Sequence, residues 1–200
     1  MSQIPITVYV EMTPNPNTMK FVANKYLLIT GDSVEFTSQA DAKGYSPLAE
    51  ELFNFPFVKT VFIAANFVTI AKNDSISWDF VVMELREFIK SWLADGKDVL
   101  VRMPEPKPKT EENSEKPAKE YAPSEYDDAI RSLLDEYVRP AVENDGGAID
   151  FVGFEDGIVT VALRGSCSGC PSSTATLKGG IENLLKSHLP EVTEVVAESL

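Results

Sequence analysis

The fold of the second half of this chain depends on one stretch, AIDFVGFEDGIVTVALRGSCSGCPSST (residues 148–174). The runs AIDFVGF and GIVTVALRG are rich in β-branched and aromatic residues, which favour strands. The EDG between them is typical of a hairpin turn. Two cysteines follow, and Pro171 then suits the first turn of a helix because that position needs no N–H. The stretch predicts two paired strands, a cysteine loop and a helix.

The flanking segments complete a small α+β domain. The preceding segment SEYDDAIRSLLDEYVRPAVEND (124–145) has apolar residues at helical spacing, and the helix is expected to stop at Gly146-Gly147. The helix after the cysteines is expected to run to Pro190, and TEVVAE (193–198) predicts a last strand. The predicted order is helix, strand, strand, helix, strand.

The first half also predicts α+β structure. Strands are predicted at ITVYVEM, MKFVAN and VEFTS, with two more in VKTVFIAANFVTIAKN; TPNPNT is a turn and SPLAEELFN a helix. A long helix follows, whose apolar stripe consists of Val81, Val82, Leu85, Phe88, Ile89 and Trp92. This half contains no cysteine and no histidine, and no catalytic constellation is visible in it.

A polar, proline-rich segment separates the two halves. From Pro104 to Glu120 the only aliphatic residue is Ala118, so the segment cannot bury enough apolar surface to offset its ordering entropy. We therefore predict a domain at 1–102, a flexible Pro/Glu/Lys-rich linker at 103–122 and a second domain at 123–200. Both domains are expected to be small α/β sandwiches that fold separately.

The charge of the chain excludes two classes of partner. The formal net charge is −13, and residues 123–200 carry 14 acidic and 5 basic side chains. Nucleic acids and anionic membranes both require clustered Lys and Arg. No stretch approaches the roughly 18 apolar residues of a membrane span, and no signal peptide is visible. With two cysteines and no disulfide framework, we expect a soluble protein of the reducing cytoplasm.

Both cysteines, Cys167 and Cys170, lie in the loop RGSCSGCPSST. Its glycines and serines leave space for a ligand, so we expect the loop to be exposed. Cys170 is predicted at the N-terminus of a helix, where unpaired N–H groups and the helix dipole stabilise a thiolate.

Four uses of these thiols stay open at this point: an inert pair, a thioredoxin-like dithiol, a zinc site and an iron–sulfur site. Small solvated neighbours disfavour an inert pair. Thioredoxin-like pairs usually come early in their domain near a tryptophan, whereas Trp78 and Trp92 lie in the other half. Zinc needs four ligands in a closed site. The sole histidine, His188, lies over roughly 20 Å along the helix from the cysteines, at about 1.5 Å per residue, so zinc would require a second subunit.

An iron–sulfur cluster requires four thiolates, and one chain supplies two. A homodimer with its two-fold axis beside the loop supplies all four. A cluster shared in this way lies at a subunit edge and is suited to being assembled and then given away.

The sequence resembles a known family over most of its second half. Residues 139–196 resemble the C-terminal domain of NifU, the Nfu-type iron–sulfur cluster carrier, most specifically in DGG (145–147), CSGCPSS (167–173) and LKGGIENLL (177–185). In the first half, TPNPNTMKF (13–21) is similar to the N-terminal domain of two-domain Nfu proteins.

The resemblance implies a non-catalytic scaffold or carrier. It implies a 4Fe–4S cluster bridged between two subunits of a homodimer, with Cys167 and Cys170 as the metal and cofactor ligands. It further implies that an upstream cluster scaffold loads the protein and that apo-proteins receive the cluster.

Several neighbours of the cysteines have both a structural and a functional interpretation. Gly146 and Gly147 end a helix, or also border the cluster. Arg164 is a surface arginine, or it offsets thiolate charge. The last group, which either caps the helix or donates to cluster sulfurs, consists of Ser172, Ser173 and Thr174.

Overall fold

The computed structural model describes residues 5–28, 33–104, 121–168 and 171–199. Helices and sheets occur in both halves, which confirms the predicted α+β class. Most of the predicted linker, residues 103–122, lies outside the described residues. Near the end of the predicted linker, the Tyr121 hydroxyl lies 2.8 Å from Thr160 Oγ1 of the second half.

The first half folds around one antiparallel sheet of five strands, in the order β1-β2-β5-β4-β3. The strands are β1 (Val8–Met12), β2 (Thr18–Ala23), β3 (Ser33–Phe36), β4 (Val58–Ala64) and β5 (Phe67–Lys72). The helices are α1 (Gln39–Ala42), α2 (Pro47–Leu52) and α3 (Trp78–Ala94). The TPNPNT loop connects β1 to β2, and Ala65-Asn66 connects β4 to β5, as predicted.

Helix α3 belongs to the larger of the two apolar layers of this half. Val81, Leu85 and Ile89 are buried, as the predicted stripe requires. The other three stripe residues, Val82, Phe88 and Trp92, are half-buried at its margin. Because side chains alternate along a strand, other apolar residues of the same sheet form a second layer, which consists of Val22, Phe62, Ala64 and Phe67. Ala148 of the second half joins this second layer, so the two halves are in direct contact.

The second half has the predicted order of elements. They are α4 (Asp127–Leu133), a π-helical turn (Leu134–Val138), α5 (Arg139–Asn144), β6 (Gly147–Glu155), β7 (Ile158–Gly165), α6 (Pro171–His188) and β8 (Glu194–Ser199). Strands β6 and β7 pair antiparallel, and β8 pairs parallel to β7 after the α6 crossover. Asp156 and Gly157 both have positive φ in the predicted hairpin turn. The cysteine loop therefore leaves the central strand and enters α6.

The predicted first helix of this half is not uniform. A π-helical turn separates α4 from α5, directly before Arg139 and Pro140. Proline has no N–H, and its ring clashes with the carbonyl one turn earlier, which disrupts the α-helical hydrogen-bonding pattern at this point. Helical periodicity in the sequence does not reveal such a local change.

The α3 packing predicts a contrast between two substitutions in one helix. Leu85 is fully buried, whereas Met83 is 54% exposed. Leu85→Ala should lower the free energy of unfolding by about 2–5 kcal/mol because it leaves a cavity. Met83→Ala should change it by less than about 0.5 kcal/mol. Urea unfolding followed by circular dichroism measures both, and equal losses would contradict the packing described for α3.

Candidate functional site

The loop at the end of β7 is fixed by hydrogen bonds on both sides of Cys167. Ser168 donates to the Gly165 carbonyl from both its backbone N–H (3.2 Å) and its hydroxyl (2.9 Å). The Thr174 hydroxyl, in the first turns of α6, donates to the Cys167 carbonyl at 3.2 Å. Thr174 therefore ties the helix to the loop, beyond the capping role expected for it. These hydrogen bonds fix the backbone of the loop from Gly165 to Ser168.

The Cys167 thiol is buried, which corrects the expectation of an exposed loop for this residue. Its side chain is 7% exposed and packs with the apolar core of the second half. Space for the sulfur comes from Gly147, because a Cβ there would lie 2.8 Å from Sγ. The small residues near Cys167 thus leave space for the thiol in the core. The sequence had suggested that they leave space for a ligand.

Cys170 was predicted as the second ligand, and it lies outside the described residues together with Gly169. Helix α6 begins at Pro171, as predicted, so Cys170 directly precedes it in the chain. The side chains of Ser172 and Ser173 also lie outside the described part of the chain.

Burial raises the pKa of the Cys167 thiol above its usual range. The Ser166 hydroxyl, 3.8 Å from Sγ, acts in the opposite direction, and the charge of Asp145 raises the pKa further. The free thiol is therefore protonated near neutral pH. A metal bound there would have to displace that proton.

The DGG turn and the residues before Cys167 form one bonded unit. The Ser166 N–H donates to the Gly146 carbonyl at 3.2 Å, and the Ser166 hydroxyl donates to the Asp145 carbonyl. Gly146 has a φ of 83°, in the region that favours glycine. The glycines thus follow the end of helix α5, and Gly147 also borders the Cys167 thiol. Their expected place beside a cluster stays a prediction.

Residues of the first half also contact this unit, and the sequence does not predict these contacts. Asn15 Nδ2 donates to the Ser166 carbonyl at 3.3 Å, and Thr69 Oγ1 donates to the Gly146 carbonyl at 2.7 Å. Lys20 Nζ donates to the Asn144 carbonyl at 3.1 Å. The one sequence feature that could have indicated a contact here is the lysine inside the apolar strand MKFVAN, because a buried lysine requires hydrogen-bond or charge partners.

Glu35 of β3 contributes an acidic side chain to the contact between the two halves. Its Oε1 accepts a hydrogen bond from the Gly165 N–H at 3.3 Å. Burial raises the pKa of Glu35 from 4.5 to about 7, while the Gly165 N–H and the charge of Arg164 act in the opposite direction. Arg164 itself is half-buried and pairs with Asp150, so it is not simply a surface arginine.

The remaining metal-ligand candidates lie elsewhere. Within residues 5–28, 33–104, 121–168 and 171–199, no group of three or more His, Cys, Asp or Glu side chains could hold a metal ion. His188 ends α6, as predicted, where its Nδ1 lies 3.0 Å from the Leu184 carbonyl.

Comparison with known families identifies both halves. A model described as a NifU-like domain matches residues 130–196, and one described as the scaffold protein Nfu/NifU N terminal matches residues 8–96. The chain belongs to the Nfu/NifU family. The resemblance inferred from the DGG, cysteine-loop and TPNPNTMKF motifs is thereby confirmed.

Relatives of this Nfu/NifU chain span nearly all of it. The human protein named NFU1 iron-sulfur cluster scaffold homolog, mitochondrial, is 40% identical over 92% of this chain and 68% of its own length. NifU-like protein 4, mitochondrial, of Arabidopsis thaliana is 36% identical over 96% of this chain and 65% of its own length. The solution structure of a NifU-like protein from Saccharomyces cerevisiae is 29% identical over 52% of this chain and 91% of that one, with a TM-score of 0.44.

The expected cytoplasmic location is contradicted by these relatives, which are named as mitochondrial proteins. The expectation was wrong because charge and cysteine count indicate an environment that preserves thiols, without indicating which compartment provides it. Among the described residues, no helix is long and apolar enough to cross a membrane.

The contact between Gly147 and the thiol gives a matched pair of substitutions. A Cβ on Gly147 would lie 2.6 Å from the Arg164 carbonyl and 2.8 Å from Cys167 Sγ, whereas one on Gly179 in α6 would meet no atom of the described residues within 4 Å. Gly147→Ala should destabilise the second half by about 1–3 kcal/mol through overpacking. Gly179→Ala should stabilise it by up to about 1 kcal/mol. Thermal unfolding tests both, and a neutral Gly147→Ala would show that Cys167 does not pack there.

The Glu35 contact predicts a pH dependence with a defined sign. Because its pKa is about 7 in the docked chain and 4.5 when free, the contact between the halves retains a proton that the separated halves release. Docking should therefore be strongest below pH 4.5 and weaken as the pH rises through 7. Carboxyl ¹³C NMR of Glu35 should show the raised pKa, and Glu35→Gln should abolish the pH dependence of the Gly165 amide shift. A carboxyl that titrates near 4.5 would contradict the contact.

Proposed function

We propose that this protein is an iron–sulfur cluster scaffold or carrier, in which Cys167 and Cys170 of two copies hold one 4Fe–4S cluster. The observation that carries the proposal is the CxxC loop between β7 and α6, which the DGG turn contacts at Cys167. Membership of the Nfu/NifU family supports it, as do the relatives named as iron–sulfur cluster scaffold homologs.

The number of thiols argues for two copies. A 4Fe–4S cluster takes four thiolates, and the chain contains two cysteines. A two-fold axis beside the loop gives each copy the same role, which is the simplest closed arrangement. The cluster is then cargo held at a subunit edge, and the protein needs no catalytic residue of its own.

Release of the cluster follows from thiolate exchange. A thiolate of the receiving apo-protein bonds to one iron, and a cysteine of this protein leaves that iron as a thiolate, so the cluster's ligand count is unchanged. The leaving Cys167 sulfur takes a proton from solvent as it returns to its buried site, because burial raises its pKa. Iron would have to displace that proton to bind Cys167 again, which favours transfer towards the client. Loading by an upstream scaffold is the same exchange in the opposite direction.

The ligand assignment predicts the outcome of anaerobic reconstitution with iron and sulfide. Cys167→Ala and Cys170→Ala should each abolish the visible charge-transfer absorbance and the bound iron. Ser187→Ala, in the exposed last turn of α6, leaves both thiols and the loop bonds in place and is the control. A cysteine variant that keeps a full cluster would contradict shared ligation, and tightly bound zinc in the wild type would favour the zinc alternative.

Delivery predicts that transfer bypasses solution. Holo-protein should activate an apo 4Fe–4S enzyme faster than the same amounts of free iron and sulfide. A chelator too large to enter the protein contact should leave this activation unchanged. Complete inhibition by the chelator would mean that the cluster dissociates and reassembles, which is incompatible with a carrier.

A further inference from the structure

One face of the first half lies against the segments that frame Cys167. We call it the docking face and define it by Asn15, Lys20, Glu35, Phe62 and Thr69. Four of the five make the cross-domain hydrogen bonds described above, to Ser166, Asn144, Gly165 and Gly146 respectively. Every one of these bonds ends on a backbone group of the DGG region or of the residues just before Cys167.

The apolar part of the docking face is equally close. Phe62 is fully buried and shares its apolar cluster with Ala148 of β6. A Cβ on Gly165 would lie 3.0 Å from Phe62 Cδ1, and one on Gly146 would lie 2.9 Å from Thr69 Oγ1. These two glycines therefore permit the contact between the halves, in addition to shaping the turn and the loop.

Lys20 is buried in the contact between the halves and takes one of its hydrogen-bond partners from the second half. Its side chain is 8% exposed, pairs with Glu11 at 2.9 Å and has its Nζ 4.7 Å from the centroid of the Phe67 ring. A buried lysine is retained only when its donors are satisfied, and the Asn144 carbonyl supplies one of the partners.

We propose that the docking face is a cap for the cysteine loop of its own chain, and that the capped state and the cluster-bridged dimer exclude each other. The proposal rests on the proposed function for the role of the cysteines. It assigns to the TPNPNTMKF motif, through Asn15 and Lys20, the task of binding residues 144–147 and 165–166.

Geometry supplies the reason for exclusion. A shared cluster requires the loops of two copies to approach within the width of one cluster. The cap occupies the backbone immediately before Cys167, and it fixes the segment whose thiol points into the core. The loop must leave this arrangement for Cys167 to reach a cluster at the subunit edge.

The exclusion is reciprocal. Because the loop must leave the cap to bind a cluster, cluster binding favours release of the cap, and by linkage release of the cap favours cluster binding.

The test compares two double variants confined to the first half. Asn15→Asp with Thr69→Val removes two donors to the loop and the turn while keeping side-chain shape. The control is Asn73→Asp with Thr60→Val, because the Asn73 amide donates within the first half, to the Pro56 carbonyl, and Thr60 makes none of the cross-domain bonds above. Thr69→Val alone is the milder variant if the double variant unfolds by circular dichroism.

The first measurement needs no cluster. In the full apo chain carrying Cys170→Ser, iodoacetamide reacts only with Cys167. The cap variant should react about tenfold faster than the control, because two hydrogen bonds are lost and water compensates for only part of them. Thr69→Val alone should give a smaller increase. Equal rates in all variants would overturn the cap.

The second measurement uses the chain with both cysteines, at iron and sulfide concentrations that half-load the wild type. Anaerobic sedimentation followed by visible absorbance should show several-fold more cluster-bearing dimer relative to apo monomer in the cap variant than in the control. Faster alkylation with an unchanged or smaller dimer fraction would overturn the exclusion. Absence of a cluster from every variant and from the wild type would contradict the proposed function and the exclusion together, while the alkylation rates would still decide whether the cap exists.

Discussion

The close approach of Gly147 to Cys167 is the contact on which the site depends. With no side chain at residue 147, the sulfur enters the core of the second half and the two segments bond to each other through Ser166. This contact links the start of β6 to the end of β7, and so it connects the DGG turn to the cysteine loop. Any larger residue at 147 would require the loop, the strand pair or the thiol to move.

The elements of the fold could be predicted largely from the sequence because their signals are local. The β-branched and aromatic content of β6 and β7, the EDG turn and Pro171 each act within a few residues, and the structure has the elements that they predict. The π-helical turn before Arg139 and Pro140 was missed because periodicity does not register one extra residue in a turn. The same limit applies to the burial of Cys167, which depends on Gly147, twenty residues away in the chain.

The candidate site was predicted only in its second-half components. The cysteines, Gly147 and Thr174 follow from one contiguous pattern, whereas Asn15, Glu35 and Thr69 approach the site through contacts between the two halves. Such contacts leave little trace in the sequence beyond a charged residue inside an apolar strand. The polar linker indicated two domains, but it did not indicate that the domains would bind each other beside the cysteines.

The central claim is that two chains hold one cluster between them, and native mass spectrometry under anaerobic conditions tests it most directly. The account predicts that the reconstituted protein has the mass of two chains, four irons and four sulfides, and that loss of the cluster returns it to single chains. A single chain carrying a complete cluster, or a dimer that binds zinc and takes up no iron and sulfide, would contradict the account.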